Sequence, residues 1–168
     1  MEAKLASILA AKATGIDHVA IAVKDLEESI QFYSEVLGME LVERRETKGK
    51  KSAMISAVMK AGPLTFVLLQ GTSPESQVTR YVEHYGPGVQ HIAIGLEGLP
   101  EVVEQLEGSG LDFDTGLIRN NGLVQRFSHR EPNSGMMFEF IEHVDEDGDF
   151  SDESVQQLFE ELESKDTF

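Results

Sequence analysis

Two histidines and one carboxylate are the residues of this chain best placed to do chemistry: His18, His91 and Glu139. His18 stands in Ile16-Asp17-His18-Val19-Ala20-Ile21 and His91 in Val89-Gln90-His91-Ile92-Ala93-Ile94, segments that match at an offset of 73 residues. Self-similarity at a fixed offset marks a duplicated structural unit. A lone strand histidine is more often a satisfied core residue; equivalence across a repeat makes these two a pair. Glu139 lies in Met137-Phe138-Glu139-Phe140-Ile141, where a carboxylate among apolar neighbours is costly unless something positive meets it. Two neutral imidazoles and a carboxylate make the 2-His-1-carboxylate set, which holds a divalent ion and leaves coordination positions open, as suits a non-haem Fe(II) oxygenase. A structural zinc site is more often closed by four protein ligands. With no cysteine in the chain, thiolate ligation, a cysteine nucleophile and disulfides are all excluded.

The elements that must position these groups follow from periodicity. Each His segment alternates and is β-branched, so it reads as a strand. Residues two apart share a face, which puts His18 beside Ile16, Ala20 and Ala22, and His91 beside Val89, Ala93 and Gly95. Glu139 shares a face with Met137 and Ile141. After the first strand, Asp25 with Glu28 predicts a capped helix carrying Leu26, Ile30, Tyr33 and Leu37 and closed by Gly38. After the second, Pro100 opens a helix with Val103 and Leu106, ended by Gly108 and Gly110. Further strands are expected at 39–45, 52–59 and 64–70, then at 111–114, 123–129 and 136–142, so each half is a β-α-β-β-β unit. The fold class is α+β: paired βαβββ modules forming an open barrel.

The boundaries expected are a leader at 1–14, one domain over 15–144 and an acidic linker with a C-terminal helix over 145–168. Within the domain, module 1 covers 15–71, a linker helix 72–87 and module 2 88–144. The leader reads as a short helix or disordered segment, and the Asp145–Asp149 run as a linker that fails the calcium-loop pattern. Ser151 caps a last helix whose Val155, Leu158, Phe159 and Leu162 form an apolar stripe, fit to cover a barrel mouth or a dimer partner.

The net charge of −16 disfavours nucleic acid, and no apolar run reaches the roughly 20 residues that span a bilayer, so a cytoplasmic protein is expected. His84 reads as a solvated helix residue, and His129 and His143, near strand ends, read as surface residues, with support of a ligand from behind as the alternative. Arg44, Arg45, Lys48, Lys50 and Lys51 read as a solvated hairpin tip.

At these residues the chain resembles the vicinal oxygen chelate superfamily and, within it, the catalytic half of the 4-hydroxyphenylpyruvate dioxygenases. The specific pieces are Tyr85-Gly86-Pro87-Gly88-Val89-Gln90-His91-Ile92-Ala93 and Met137-Phe138-Glu139-Phe140-Ile141, supported by Ser52-Ala53-Met54-Ile55-Ser56 and Leu123-Val124-Gln125-Arg126-Phe127. The resemblance places the iron ligands on His18, His91 and Glu139. It places polar substrate contacts on Ser56, Gln77, Gln90 and Gln125, a ring-packing residue on Phe127, and Gln70 where the family has asparagine. It makes Val155, Leu158 and Phe159 part of a lid helix. Strict alternation turns Gln90 away from His91.

The resemblance implies Fe(II), or Co, Ni, Zn or Mn in its place, with O₂ as co-substrate. The implied reaction is oxidative decarboxylation and hydroxylation of a 2-oxo acid such as an arylpyruvate. Glyoxalases and epimerases of the superfamily take a fourth ligand from the last strand of the first module, and Thr65-Phe66-Val67-Leu68-Leu69 offers none. A metal-dependent epimerase, isomerase or lyase is the alternative, and a metal-free resistance-type binding protein a third. The family's dioxygenases carry a second, non-catalytic half, so a homodimer is expected to replace its contacts.

Overall fold

A computed structural model describes residues 8–120, 122–145 and 151–165 of the chain. It is mixed α+β and divides into two compact units, residues 1–17 with 92–158 and residues 18–91 with 159–168. Residues 8–12 are helical, and β1 (Ala13–Ala22) begins at once after them, earlier than the alternating segment alone suggested. The first seven residues of the expected leader and most of the acidic linker fall outside the described residues.

In the unit built on 18–91, β2 (Glu40–Lys48), β3 (Ala53–Ala61) and β4 (Leu64–Gly71) follow a helix α1 (Leu26–Gln31), and the strand order is β2-β3-β4-β1. β1 pairs with β4 in parallel, with Ala20 opposite Val67, while β2–β3 and β3–β4 are antiparallel. One face of this array packs on α1 through Leu26, Ile30, Met39, Ala57, Met59 and Leu68. The opposite face carries His18, Ala20, Val67, Leu69 and Ser56, because directly paired residues point the same way. Helix α2 (Gln77–Tyr85) follows, buried through Gln77, Val78 and Tyr81.

The first helix departs from expectation. Asp25 accepts from the Glu28 N–H (2.9 Å) as a cap should. The α-helix nevertheless stops at Gln31 and continues as a π turn, Phe32–Val36, in which the Leu37 N–H donates to Phe32 O (3.3 Å). The wider turn rotates the residues after it, so Leu37 is 51% exposed and Met39 takes the core place instead.

In the other unit, β5 (Gly88–Leu96) leads to α3 (Leu99–Gly108), β6 (Ile118–Asn120), β7 (Leu123–Phe127) and β8 (Phe138–His143), in the order β5-β8-β7-β6. β5 and β8 are parallel, with Ala93 opposite Glu139; β7 and β8 are antiparallel, with Phe127 opposite Glu139. The face holding Val124 and Phe140 packs on α3 through Leu99, Val102, Val103 and Leu106. The strand expected at 111–114 is reduced to the single bridge Phe113–Ser128. Beyond it the Thr115 hydroxyl accepts the Phe127 N–H (3.0 Å) and Thr115 O accepts from Arg126 Nε (2.8 Å), so side chains replace the ladder until β6 resumes it.

Helix α4 (Asp152–Ser164) starts where expected, with Ser151 Oγ accepting the Ser154 N–H (3.1 Å), and it buries Val155, Phe159 and Leu162. Leu158 is half-buried. Within the 18–91 unit the helix is fastened by Glu163. Its carboxylate accepts the N–H groups of Lys50 (3.1 Å), Lys51 (3.3 Å) and Ser52 (3.0 Å) and the Ser52 hydroxyl (2.7 Å). A Cβ on Gly49 would lie 2.6 Å from that carboxylate, so a side chain there would push Glu163 off these donors. The tip lysines are solvated as expected, Lys50 being 81% exposed, whereas Arg45 is 11% exposed and pairs with Glu43 (2.5 Å). Arg44 forks onto Glu27 and holds that exposed carboxyl below its usual range.

Among the described residues, no helix is long and apolar enough to cross a membrane.

Candidate functional site

His18 comes from the middle of β1 and His91 from β5, at matching places in the two modules. Both are buried, 3% and 8% exposed, and their rings meet edge to face with centroids 5.8 Å apart. Beside them, Ala20 and Ala93 are fully buried and small. Glu139, on β8, is 1% exposed. His18, His91 and Glu139 form a group that could hold a metal ion, and two imidazoles with one carboxylate are a donor set that fits a divalent ion.

The register explains why the set stops at three. Val67 lies opposite Ala20, and Glu139 lies opposite Ala93. The two alanines each follow their histidine by two positions, so Val67 holds in module 1 the place that Glu139 holds in module 2. An apolar side chain fills the position from which a fourth ligand would come.

Gln90 is 4% exposed, and its Oε1 meets His91 Nδ1 in a hydrogen bond. Backbone alternation does turn Gln90 away, but its long side chain folds back over the neighbouring ring. With Nδ1–H donating to the amide oxygen, the imidazole lone pair sits on Nε2, the nitrogen left for a ligand.

The remaining sequence-derived contacts separate into two groups. Gln125 and Phe127 share the face of Glu139: Phe127 is directly opposite it, and Gln125 is opposite Ile141. Gln125 is fully buried, and neither its Oε1 nor its Nε2 has a hydrogen-bond partner among the described residues. Ser56 lies on the His18 face and is 8% exposed. Gln77, at the start of α2, is 7% exposed with its Oε1 unpartnered. Buried amides left unpaired are rare in native proteins and mark places where water or a ligand belongs.

Gln70 is engaged elsewhere. Its Oε1 accepts the Leu26 N–H (2.6 Å) at the start of α1. Glu142 does the same for α3, accepting the N–H groups of Gly98 (2.9 Å) and Leu99 (2.8 Å). Each module's last strand thus caps its own helix from one residue.

Three groups escaped the sequence reading. Glu142 could have been found as the repeat counterpart of Gln70, and Glu163 as the residue four after Phe159 on the buried stripe. The Asp114–His129 pair, bonded between Oδ1 and Nδ1 at 2.9 Å, left no local signal.

Comparison with known proteins places this geometry. The model of the Glyoxalase/Bleomycin resistance protein/Dioxygenase superfamily matches residues 15–140. A lactoylglutathione lyase of Arabidopsis thaliana is 30% identical over 127 residues, 74% of this chain and 43% of its own. A 4-hydroxyphenylpyruvate dioxygenase of Legionella pneumophila is 26% identical over 157 residues, 88% of this chain and 44% of its own. The chain therefore spans less than half the length of these two relatives. Among solved structures, a mutant 4-hydroxymandelate synthase from Streptomyces coelicolor superposes with a TM-score of 0.80 at 21% identity, over 92% of this chain and 55% of that one. At that identity the likeness speaks for the fold.

Proposed function

The chain belongs to the Glyoxalase/Bleomycin resistance protein/Dioxygenase superfamily, and from that premise we propose that it is an Fe(II)-dependent dioxygenase acting on a 2-oxo acid such as an arylpyruvate. The observation that carries this reading is Val67 at the position equivalent to Glu139. Three protein ligands leave room for a bidentate 2-oxo acid and O₂ together, which a four-ligand site does not. The similarity to a 4-hydroxyphenylpyruvate dioxygenase supports the same assignment.

In this reading His18, His91 and Glu139 hold the metal. When bound, Fe(II) would activate O₂, whose four electrons come from the substrate itself: two as the 2-oxo acid loses CO₂ and becomes a carboxylic acid, and two as the same molecule is hydroxylated. The chain's own residues provide the rest. Gln90 fixes the His91 tautomer, and Glu139 offsets the charge of the cation. Ala20 and Ala93 leave space above the ligands. The unpartnered amide of Gln125 and the unpartnered Gln77 Oε1, with the Ser56 hydroxyl, orient the substrate's polar end without adding charge. Phe127 offers a ring face for an aromatic side chain, and Val155, Leu158 and Phe159 serve the lid that keeps water out.

The test is anaerobic loading with Fe(II), then addition of a panel of 2-oxo acids while O₂ uptake and CO₂ release are followed. Uptake and release in equal amounts are expected with an arylpyruvate; silence across the panel would remove the proposal.

A second reading is favoured by the 30% identity to a lactoylglutathione lyase: a metal-dependent lyase or isomerase. It predicts turnover without O₂ and activity with Ni(II), Co(II) or Zn(II).

A further inference from the structure

The π turn after α1 gives module 1 a surface with no counterpart in the sequence of module 2. Through Gln31 the helix is an ordinary amphipath that buries Leu26 and Ile30. None of the five residues of the turn, Phe32–Val36, is buried. Phe32 is 50% exposed, Val36 67% and Leu37 51%. The bond from the Leu37 N–H to Phe32 O sets these two one wide turn apart, with Val36 beside them, so the three form a single ridge. The Phe32 ring meets Tyr33 edge to face (5.6 Å between centroids), and Tyr33 meets Phe66 in the same way (5.8 Å). Leu64, two residues before Phe66 on the same face of β4, is 55% exposed and prolongs the strip.

The repeat shows that the fold does not require this ridge. At the offset that aligns the two histidine strands, Leu26, Ile30 and Tyr33 match Leu99, Val103 and Leu106, which α3 buries. Phe32 instead matches Gln105, and Val36 and Leu37 fall in Gly108-Ser109-Gly110. The core positions are therefore alike in both modules, while the exposed apolar residues belong to one. Single apolar side chains on a surface are ordinary, but a contiguous strip marks an interaction site, and π turns within helices concentrate at functional positions.

Charge selects the occupant. From Asp25 to Glu43 the chain has six carboxylates and no lysine or arginine. Among nearby cations, Lys24 lies at the opposite end of α1, Arg44 is held by Glu27, Arg45 by Glu43, and Lys60 stands opposite Glu40. Glu28, one turn before Phe32, and Glu35, next to Val36, are exposed on the rim of the ridge. A second copy would bring the same acidic rim against this one, and the anionic surface of a bilayer would be repelled likewise. A segment with apolar anchors set among lysines or arginines satisfies both the ridge and its rim.

We infer that the ridge of Phe32, Val36 and Leu37 is a docking surface for a cationic amphipathic segment of another protein. This goes beyond the proposed chemistry and does not depend on it.

The experiment is fluorescence anisotropy of the full chain with a labelled peptide of lysine and leucine in amphipathic helical order, compared with a scrambled peptide of the same composition. The ordered peptide is expected to bind about tenfold more tightly or better, and Val36→Ser with Leu37→Ser should bring the two peptides within about twofold. Glu28→Gln with Glu35→Gln should weaken the ordered peptide about threefold at low salt and leave it unchanged at high salt. Both substituted apolar residues are exposed, so the Val36→Ser/Leu37→Ser variant is expected to keep the wild-type Tm. The amide signals of residues 32–37 in the wild-type chain give a readout that needs no variant: they should shift with the ordered peptide. Equal binding of the two peptides, a preference that survives Val36→Ser/Leu37→Ser, or shifts confined to other elements would each overturn the inference. So would a dimer in sedimentation equilibrium, or binding to phosphatidylglycerol vesicles, that Val36→Ser/Leu37→Ser abolishes, since either assigns the ridge a different occupant.

Discussion

Val67 and Glu139 occupy the same place in two copies of one unit, each opposite the alanine that follows its module's histidine by two residues. One is a ligand candidate and the other is hydrocarbon. Restoring the symmetry should therefore change the site in a defined way. Val67→Glu is expected to tighten Zn(II) or Ni(II) binding by at least tenfold, measured by chelator competition, since one further ligand fills an open position. It should also abolish O₂ uptake with any 2-oxo acid that the native chain consumes. Unchanged metal affinity would show that Val67 does not face the ion.

Removing the metal should expose its structural contribution. At 100 times its dissociation constant a ligand adds about 2.7 kcal/mol to stability. Chelator is therefore expected to lower the Tm of the loaded wild-type chain by several degrees, and to leave His91→Ala unaffected. Equal Tm values for wild type with and without metal would count against the site.

Gln90→Leu removes the acceptor that holds the His91 Nδ1–H while keeping a buried side chain of similar length. Loss of such an outer partner typically costs 10–100-fold in metal affinity. The same variant should leave the far-ultraviolet circular dichroism unchanged, which separates loss of positioning from loss of fold.

Glu163→Ala deletes the acceptor for four donors at the hairpin tip. The expected destabilisation is about 2–4 kcal/mol, read by urea titration, because the backbone N–H groups of Lys50, Lys51 and Ser52 lose a charged partner. Limited proteolysis should cut at α4 first.

Gln70→Ala tests which of two roles that residue plays. As a helix cap, accepting from Leu26 at 2.6 Å, its loss should cost about 1 kcal/mol of stability with ligand affinity intact. Glu142→Ala should cost more, since it removes a charged acceptor from two N–H groups. A large rise in KM for Gln70→Ala without a change in stability would return it to the substrate contacts.

The modules and the pairing of His18 with His91 were legible because a repeat writes the same pattern twice, and strand alternation is short-range. Glu139 was legible because a carboxylate between Phe138 and Phe140 breaks the apolar run. The π turn at Phe32 was not, since the hydrophobic spacing of Leu26, Ile30, Tyr33 and Leu37 fits an ordinary helix and only tertiary packing selects Met39 over Leu37. The side-chain ladder at Thr115 and the Asp114–His129 pair were equally hidden. Both join residues more than ten positions apart whose types are common on any surface. Gln90 was misjudged in reach rather than direction: alternation fixes where a Cβ points, and a glutamine amide extends well past it.

Strand β8 carries Glu139 toward the ligands and, three residues on, Glu142 toward the start of α3. Odd and even positions of one strand thus serve opposite faces, and both must be right at once. A slip of one residue during folding would drive Glu139 into the apolar packing beneath α3 and leave Gly98 and Leu99 without acceptors. The misthreaded strand therefore pays twice, once on each face, and the chain carries its own proofreading against the error that would destroy the site.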